Sequence, residues 1–160
     1  SAMAHQVVSN SLYPPMGHRS ITGALPQLAF QPNPIKDATE TINRETLIVV
    51  MLESPKAIDN APEIAAVEGI DELLIGTNDL CLEMGLPGEL GHPDVVEAYK
   101  TVIDVCRDHG KYAGMGGVYN PELMEKYIEM GARLILAGND IAFLMDSARR
   151  QANTVRKMLS

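Results

Sequence analysis

Two short aliphatic runs in this chain each stop at an acidic residue in the same way. Leu47-Ile48-Val49-Val50-Met51-Leu52 runs into Glu53-Ser54-Pro55, and Leu73-Leu74-Ile75 runs into Gly76-Thr77-Asn78-Asp79. An aliphatic run closed by a helix-start signal is the pattern of a strand buried on both faces of a parallel sheet. A carboxylate at such a tip stands at the carboxyl end of the sheet, where α/β folds hold their ligands. Glu53 and Asp79 are 26 residues apart, about one β–α unit, so they are expected on adjacent strands facing one mouth. Spacing alone leaves two readings open. The pair is a hard-cation site, or each acid caps the helix that follows it.

The rest of the chain repeats the strand–helix pattern. Strands are expected over 47–52, 72–76, 111–118 and 133–137. Ser54 and Pro55 open a short helix that is interrupted near Pro62 and stopped by Gly69. Pro93 starts a long helix with Val95, Val96, Tyr99, Val102, Ile103 and Cys106 on one face, and Gly110 stops it. Asn120-Pro121-Glu122 opens the next helix, which ends at Gly131, and a last helix runs from Ile141. Gly114, Gly116 and Gly117 weaken the third strand and suggest that a ligand or another backbone comes close there.

Sequential β–α units make a parallel sheet. With no GxGxxG and no GxxxxGK[ST], they favour a barrel of the (β/α) TIM type over a dinucleotide fold. A closed barrel needs eight strands and about 250 residues, so four units are half of one. Residues 46–160 are read as those four units, and 4–45 as a helix tail followed by an irregular Pro- and Gly-rich loop. Ser1-Ala2-Met3 is read as a cloning scar.

Composition narrows the partners. The 160-residue chain carries a net charge of −8, which excludes the clustered Lys and Arg of a nucleic-acid surface. No run approaches the length of a membrane span, and the first residues do not have a signal-peptide pattern. Cys81 and Cys106 lack metal spacing and read as reduced, small apolar residues of a cytoplasmic protein. The nine methionines read as core filler.

Several segments together resemble the HpcH/HpaI aldolase family, the class II pyruvate aldolases related to the citrate lyase β subunit. They are Tyr13-Pro14-Pro15-Met16-Gly17-His18-Arg19-Ser20, Leu52-Glu53-Ser54-Pro55, Val67-Glu68-Gly69-Ile70-Asp71, Ile75-Gly76-Thr77-Asn78-Asp79-Leu80 and Gly91-His92-Pro93. The resemblance implies a lyase that cleaves 4-hydroxy-2-oxo acids to pyruvate and an aldehyde. It implies a divalent cation (Mg, Mn or Co) held by Glu53 and Asp79. Two carboxylates leave coordination positions open, so that a 2-oxo acid can chelate and its enolate is stabilised. Backbone N–H groups around Asn78 and Asp79 would suit the substrate carboxylate. Met51 departs from the glutamine that many members carry two residues before the metal glutamate.

The family's first four strands, with its catalytic histidine and arginine, would precede residue 1, so the resemblance makes this chain the C-terminal half of the barrel, expected to be nearly inert alone. Arg19 is the candidate for substrate contact, with a structural loop arginine as the alternative, and His18 reads as solvated. His92 reads as a helix cap, and Asp140, which repeats the strand-end acid pattern, as a cap of the last helix with metal binding as the alternative. His109 reads as a helix C-terminal residue, and Glu68 and Asp71 as surface charges. Other readings are a non-catalytic metal- or ligand-binding half-barrel and a citrate-lyase-like acyl-CoA lyase, which would need a basic groove. Two exposed sheet edges lead us to expect a homo-oligomer.

Overall fold

A computed structural model describes residues 2–23 and 25–159. Its centre is a four-stranded parallel sheet in the order β1 (Val49–Leu52), β2 (Glu72–Gly76), β3 (Tyr112–Gly116), β4 (Ala132–Ile135). Strand order equals chain order, as in a barrel wall, and β1 and β4 are the free edges. Leu52 stands opposite Ile75, Leu74 opposite Gly114, and Gly76 opposite Gly116. The register slips once, between Ala113 and Gly114 against β4, which leaves Arg133 as the extra residue.

The helices connect these strands in the expected order. α1 (Ala2–Ser11) and α2 (Ile35–Glu45) precede β1, and α3 (Pro55–Asp59) and α4 (Ala61–Ala65) follow it. α5 (Thr77–Glu83) and α6 (Pro93–Asp108) lie between β2 and β3. α7 (Pro121–Met130) leads to β4 and α8 (Asp140–Met158) closes the chain. α4, α5 and α6 pack on β2, α6 also on β3, and α7 on β4. α6 buries Val95, Ala98, Tyr99, Val102, Ile103 and Cys106. Burying a Val- or Ile-sized side chain stabilises by roughly 1.5–3 kcal/mol, so this stripe, more than helix propensity, holds α6 in place. Val96, expected on that face, is only half-buried, and Ala98 takes its place.

Strand alternation divides the sheet into two faces. Leu52, Leu73, Ile75, Ala113 and Met115 belong to the main core under the helices. Met51, Glu53, Glu72, Leu74, Gly76, Gly114 and Gly116 occupy the alternate positions on the opposite face. That face has no helix layer among the described residues. α8 buries none of its described residues and exposes Ile141, Phe143, Leu144 and Met145.

Several expectations are corrected. Residues 11–45 are not irregular throughout, because Ile35–Glu45 is helical and buries Ala38 and Ile42 on one side. The prolines before it, ending at Pro34, obscured the 3.6-residue spacing. Ala2 and Met3 begin α1, while Ser1 lies outside the described residues. The methionines are not core filler in general: Met115 is fully buried, whereas Met3, Met16, Met51, Met145 and Met158 are exposed. Asp71 is not a free surface charge. Its carboxylate accepts a hydrogen bond from the Ile48 backbone N–H at 2.7 Å and ties the start of β1 to β2. Asn139, not Asp140, is the N-cap of α8, accepting from Ala142 N–H at 2.8 Å.

Candidate functional site

The site is built where β1 and β2 end. Leu52 is buried under the helices, so the next residue, Glu53, points to the open face, one position beyond the Leu52–Ile75 pair and therefore opposite Gly76. A Cβ on Gly76 would come within 2.7 Å of Glu53 Cγ and 2.8 Å of its Oε1. The glycine thus leaves room for the carboxylate to lie across the tip of β2. Immediately beyond Gly76 the chain enters α5, whose first turn carries Asp79. Asp79 therefore stands in a helical first turn rather than on the strand tip itself.

Capping does not account for either acid. Ser54 caps α3, its hydroxyl accepting from Ala57 N–H at 3.3 Å. α5 begins at Gly76 with no side-chain cap. Among the described residues neither the Glu53 nor the Asp79 carboxylate has a hydrogen-bond or ion-pair partner, and both are exposed. Two carboxylates with unengaged oxygens form a donor set that fits a hard divalent cation. No group of three or more His, Cys, Asp or Glu among the described residues could enclose an ion. Water and ligand would have to complete its coordination.

The first turn of α5 is stitched to the end of β3. Thr77 is fully buried and its hydroxyl donates to the Gly116 carbonyl at 2.7 Å. The Asn78 amide donates to the Gly117 carbonyl at 3.4 Å. Gly117 has φ +82° and would press any Cβ against the Asn78 amide, so glycine is required there on both counts. The close approaches expected at the β3 glycines are largely made by side chains: Glu72 and Leu74 over Gly114, Leu136 over Gly116, Asn78 over Gly117. Directly below Glu53 the open face carries Met51, half exposed, and Leu74, buried, with the Glu72 carboxyl beyond them.

The other sequence candidates have structural contacts. Arg19 sets its guanidinium 5.0 Å from the Tyr13 ring centroid, which supports the loop-arginine reading. Tyr13 is itself gripped by Asn43, whose amide bonds both its N–H and its C=O. His18 is exposed. His92 caps α6, Nδ1 accepting from Asp94 N–H at 3.2 Å, and His109 bonds the Val105 carbonyl at the C-terminus of α6. Glu68 is exposed. Cys81 and Cys106 are free and buried. Burial raises both thiols, that of Cys106 to about 11, so neither is a thiolate at neutral pH.

Sequence reasoning missed Glu72. It shares the open face with Leu74 and Gly76, is only 3% exposed, and its Oε1 has no hydrogen-bond partner. Burial, and secondarily the neighbouring Asp71 charge, push its carboxyl up to about 7. The signal was its parity: a glutamate two residues before Leu74 on a strand shares that residue's face.

Comparison with known proteins agrees with this architecture. The family model described as HpcH/HpaI aldolase/citrate lyase matches residues 1–147. A 4-hydroxy-4-methyl-2-oxoglutarate aldolase, tasA, from Hapsidospora irregularis is 34% identical over 97% of this chain and 58% of its own length. A 5-keto-4-deoxy-D-glucarate aldolase from Escherichia coli O6:H1 is 30% identical over 96% of this chain and 59% of its own. The crystal structure of an HpcH/HpaI aldolase from Desulfitobacterium hafniense DCB-2 superposes with a TM-score of 0.81 at 28% identity, covering 93% of this chain and 57% of that one. The chain therefore spans somewhat under three fifths of the length of these relatives.

Proposed function

The chain belongs to the HpcH/HpaI aldolase/citrate lyase family, and from that premise we propose that it carries the cation-binding half of a metal-dependent carbon–carbon lyase. The reaction is cleavage of a 4-hydroxy-2-oxo acid to pyruvate and an aldehyde. The observation that carries this reading is the unengaged Glu53 carboxylate, laid across Gly76 beside the helical turn that bears Asp79.

Glu53 and Asp79 would hold Mg, Mn or Co, and that cation would supply positive charge to the oxygens of the 2-oxo acid as its carbon–carbon bond breaks. This chain's own residues bind and orient. Backbone N–H groups around Asn78 would border the bound acid, since the Asn78 side chain is engaged with Gly117. Met51 and Leu74 give the mouth an apolar floor, which raises the strength of charge interactions above it. Arg19 has its place in the Tyr13 stack, and we assign it no part in the chemistry.

Calorimetric titration of the chain with Mn²⁺, alone and with oxalate, tests the reading. Binding is expected in the wild type, tightened by oxalate, and lost in both Glu53→Ala and Asp79→Ala. Unchanged affinity in either variant would remove that residue from the site.

A further inference from the structure

We propose that Tyr99, on α6, is a positioning residue for Asp79, acting through a buried hydroxyl relay that ends on the Gly116 carbonyl. This inference rests on the reading of Glu53 and Asp79 as a cation-binding pair.

The relay has a fixed direction. The Gly116 carbonyl only accepts, so the single proton of the Thr77 hydroxyl is committed to it at 2.7 Å. The 2.7 Å contact between Thr77 Oγ1 and Tyr99 Oη must then be donated by the phenol. Tyr99 and Thr77 are both 0% exposed, so water does not substitute for either bond. Burial also raises the Tyr99 phenol above its ordinary value, and the donor proton is present at any working pH.

The first turn of α5 depends on this relay more than most helix starts do. Gly76 provides no side-chain cap, and the other stitch, from Asn78 to Gly117, is long at 3.4 Å. Asp79 has no partner of its own among the described residues. The position of its carboxylate is therefore inherited from the backbone that Thr77 pins to β3. Without the phenol, the buried Thr77 oxygen loses its donor and is left with an unsatisfied lone pair, and its bond to the Gly116 carbonyl is no longer reinforced.

The aromatic stack permits a clean test. The Tyr99 and Tyr127 rings lie 3.7 Å apart at 14°, and the Tyr127 hydroxyl donates elsewhere, to the Leu90 carbonyl at 2.6 Å. Tyr99→Phe thus removes one hydroxyl and leaves the ring packed. Tyr127→Phe removes a neighbouring hydroxyl outside the relay.

Mn²⁺ affinity and backbone hydrogen exchange are measured on the whole chain for both variants and for Thr77→Val and Thr77→Ser. Tyr99→Phe and Thr77→Val are expected to weaken Mn²⁺ binding about three- to tenfold, the span set by one buried hydrogen bond. They should also speed exchange at the amides of residues 78–80 while those of β2 stay protected. Thr77→Ser, which keeps the hydroxyl, should stay within about twofold of wild type. Tyr127→Phe should lower the unfolding temperature without that loss of affinity. Equal losses in Tyr99→Phe and Tyr127→Phe would mean general loosening of the core and overturn the proposal, as would unchanged affinity and exchange in Tyr99→Phe. If wild type itself binds no Mn²⁺, the cation reading fails separately. Exchange at residues 78–80 then decides alone whether the relay orders this turn.

Discussion

The carboxylate of Glu53 occupies the space that a side chain on Gly76 would need, with Glu53 Cγ 2.7 Å from the position of a Gly76 Cβ. Gly76 itself has φ −81°, a backbone that alanine adopts without strain. Its glycine is therefore a matter of room and not of conformation.

Gly76→Ala should accordingly fold. The added methyl meets a flexible side chain, so the cost to stability is expected to stay within about 1–2 kcal/mol. The Glu53 carboxylate, however, is pushed off the tip of β2. Mn²⁺ affinity should fall at least about tenfold, or about 1.4 kcal/mol. Calorimetry beside thermal unfolding separates the two effects. Full-strength binding in Gly76→Ala would show that Glu53 reaches its ligand by another path.

Glu72 makes stability depend on pH. Its carboxyl is raised to about 7 in the folded chain, against an ordinary glutamate near 4.5 when unfolded, so the folded state holds the proton more tightly. The contribution is fully present below about pH 4.5 and is lost as pH rises toward 7, where a charge must be buried. Stability should fall by roughly 1–3 kcal/mol across that window from this group. Glu72→Gln should flatten the slope and be the more stable form at pH 8. Urea denaturation of both proteins at pH 5 and pH 8 checks this, and identical slopes would mean that Glu72 titrates normally.

Self-association is the third expectation. β1 and β4 are free edges, and an apolar cavity of about 310 Å³ runs along β1, lined by Met3, Val7, Val50 and Ile64 among others. α8 adds Phe143, Leu144 and Met145 to the exposed apolar surface. Bare edges and large apolar patches recruit partners. Light scattering at micromolar concentration should therefore give a mass above that of one chain. A monomer that unfolds cooperatively would count against it.

Much of the fold was legible because its signals are local. Aliphatic runs marked β1, β2 and β4, whereas β3, with Gly114 and Gly116, carries no such run. Ser54, His92 and Asn120 each marked a helix start, and each caps one. Strand ends were less exact. The run from Leu47 promised two residues more than β1 contains, since Leu47 is exposed and Ile48 is bound by Asp71. α2 was hidden by the prolines before it, which mark a loop whatever comes after.

Local signals were enough for the parallel sheet, the order of its strands, and the placing of Glu53 and Asp79 beyond neighbouring strand ends, because periodicity and caps act over a few residues. Packing between elements supplied what remained. It laid Glu53 over Gly76, buried Glu72 against Gly114, and joined Tyr99, Thr77 and Gly116 in one relay. Those contacts join residues on different strands and helices, up to the 42 positions that separate Glu72 from Gly114. Strand register and helix packing create them, and no local pattern records which side chains will meet.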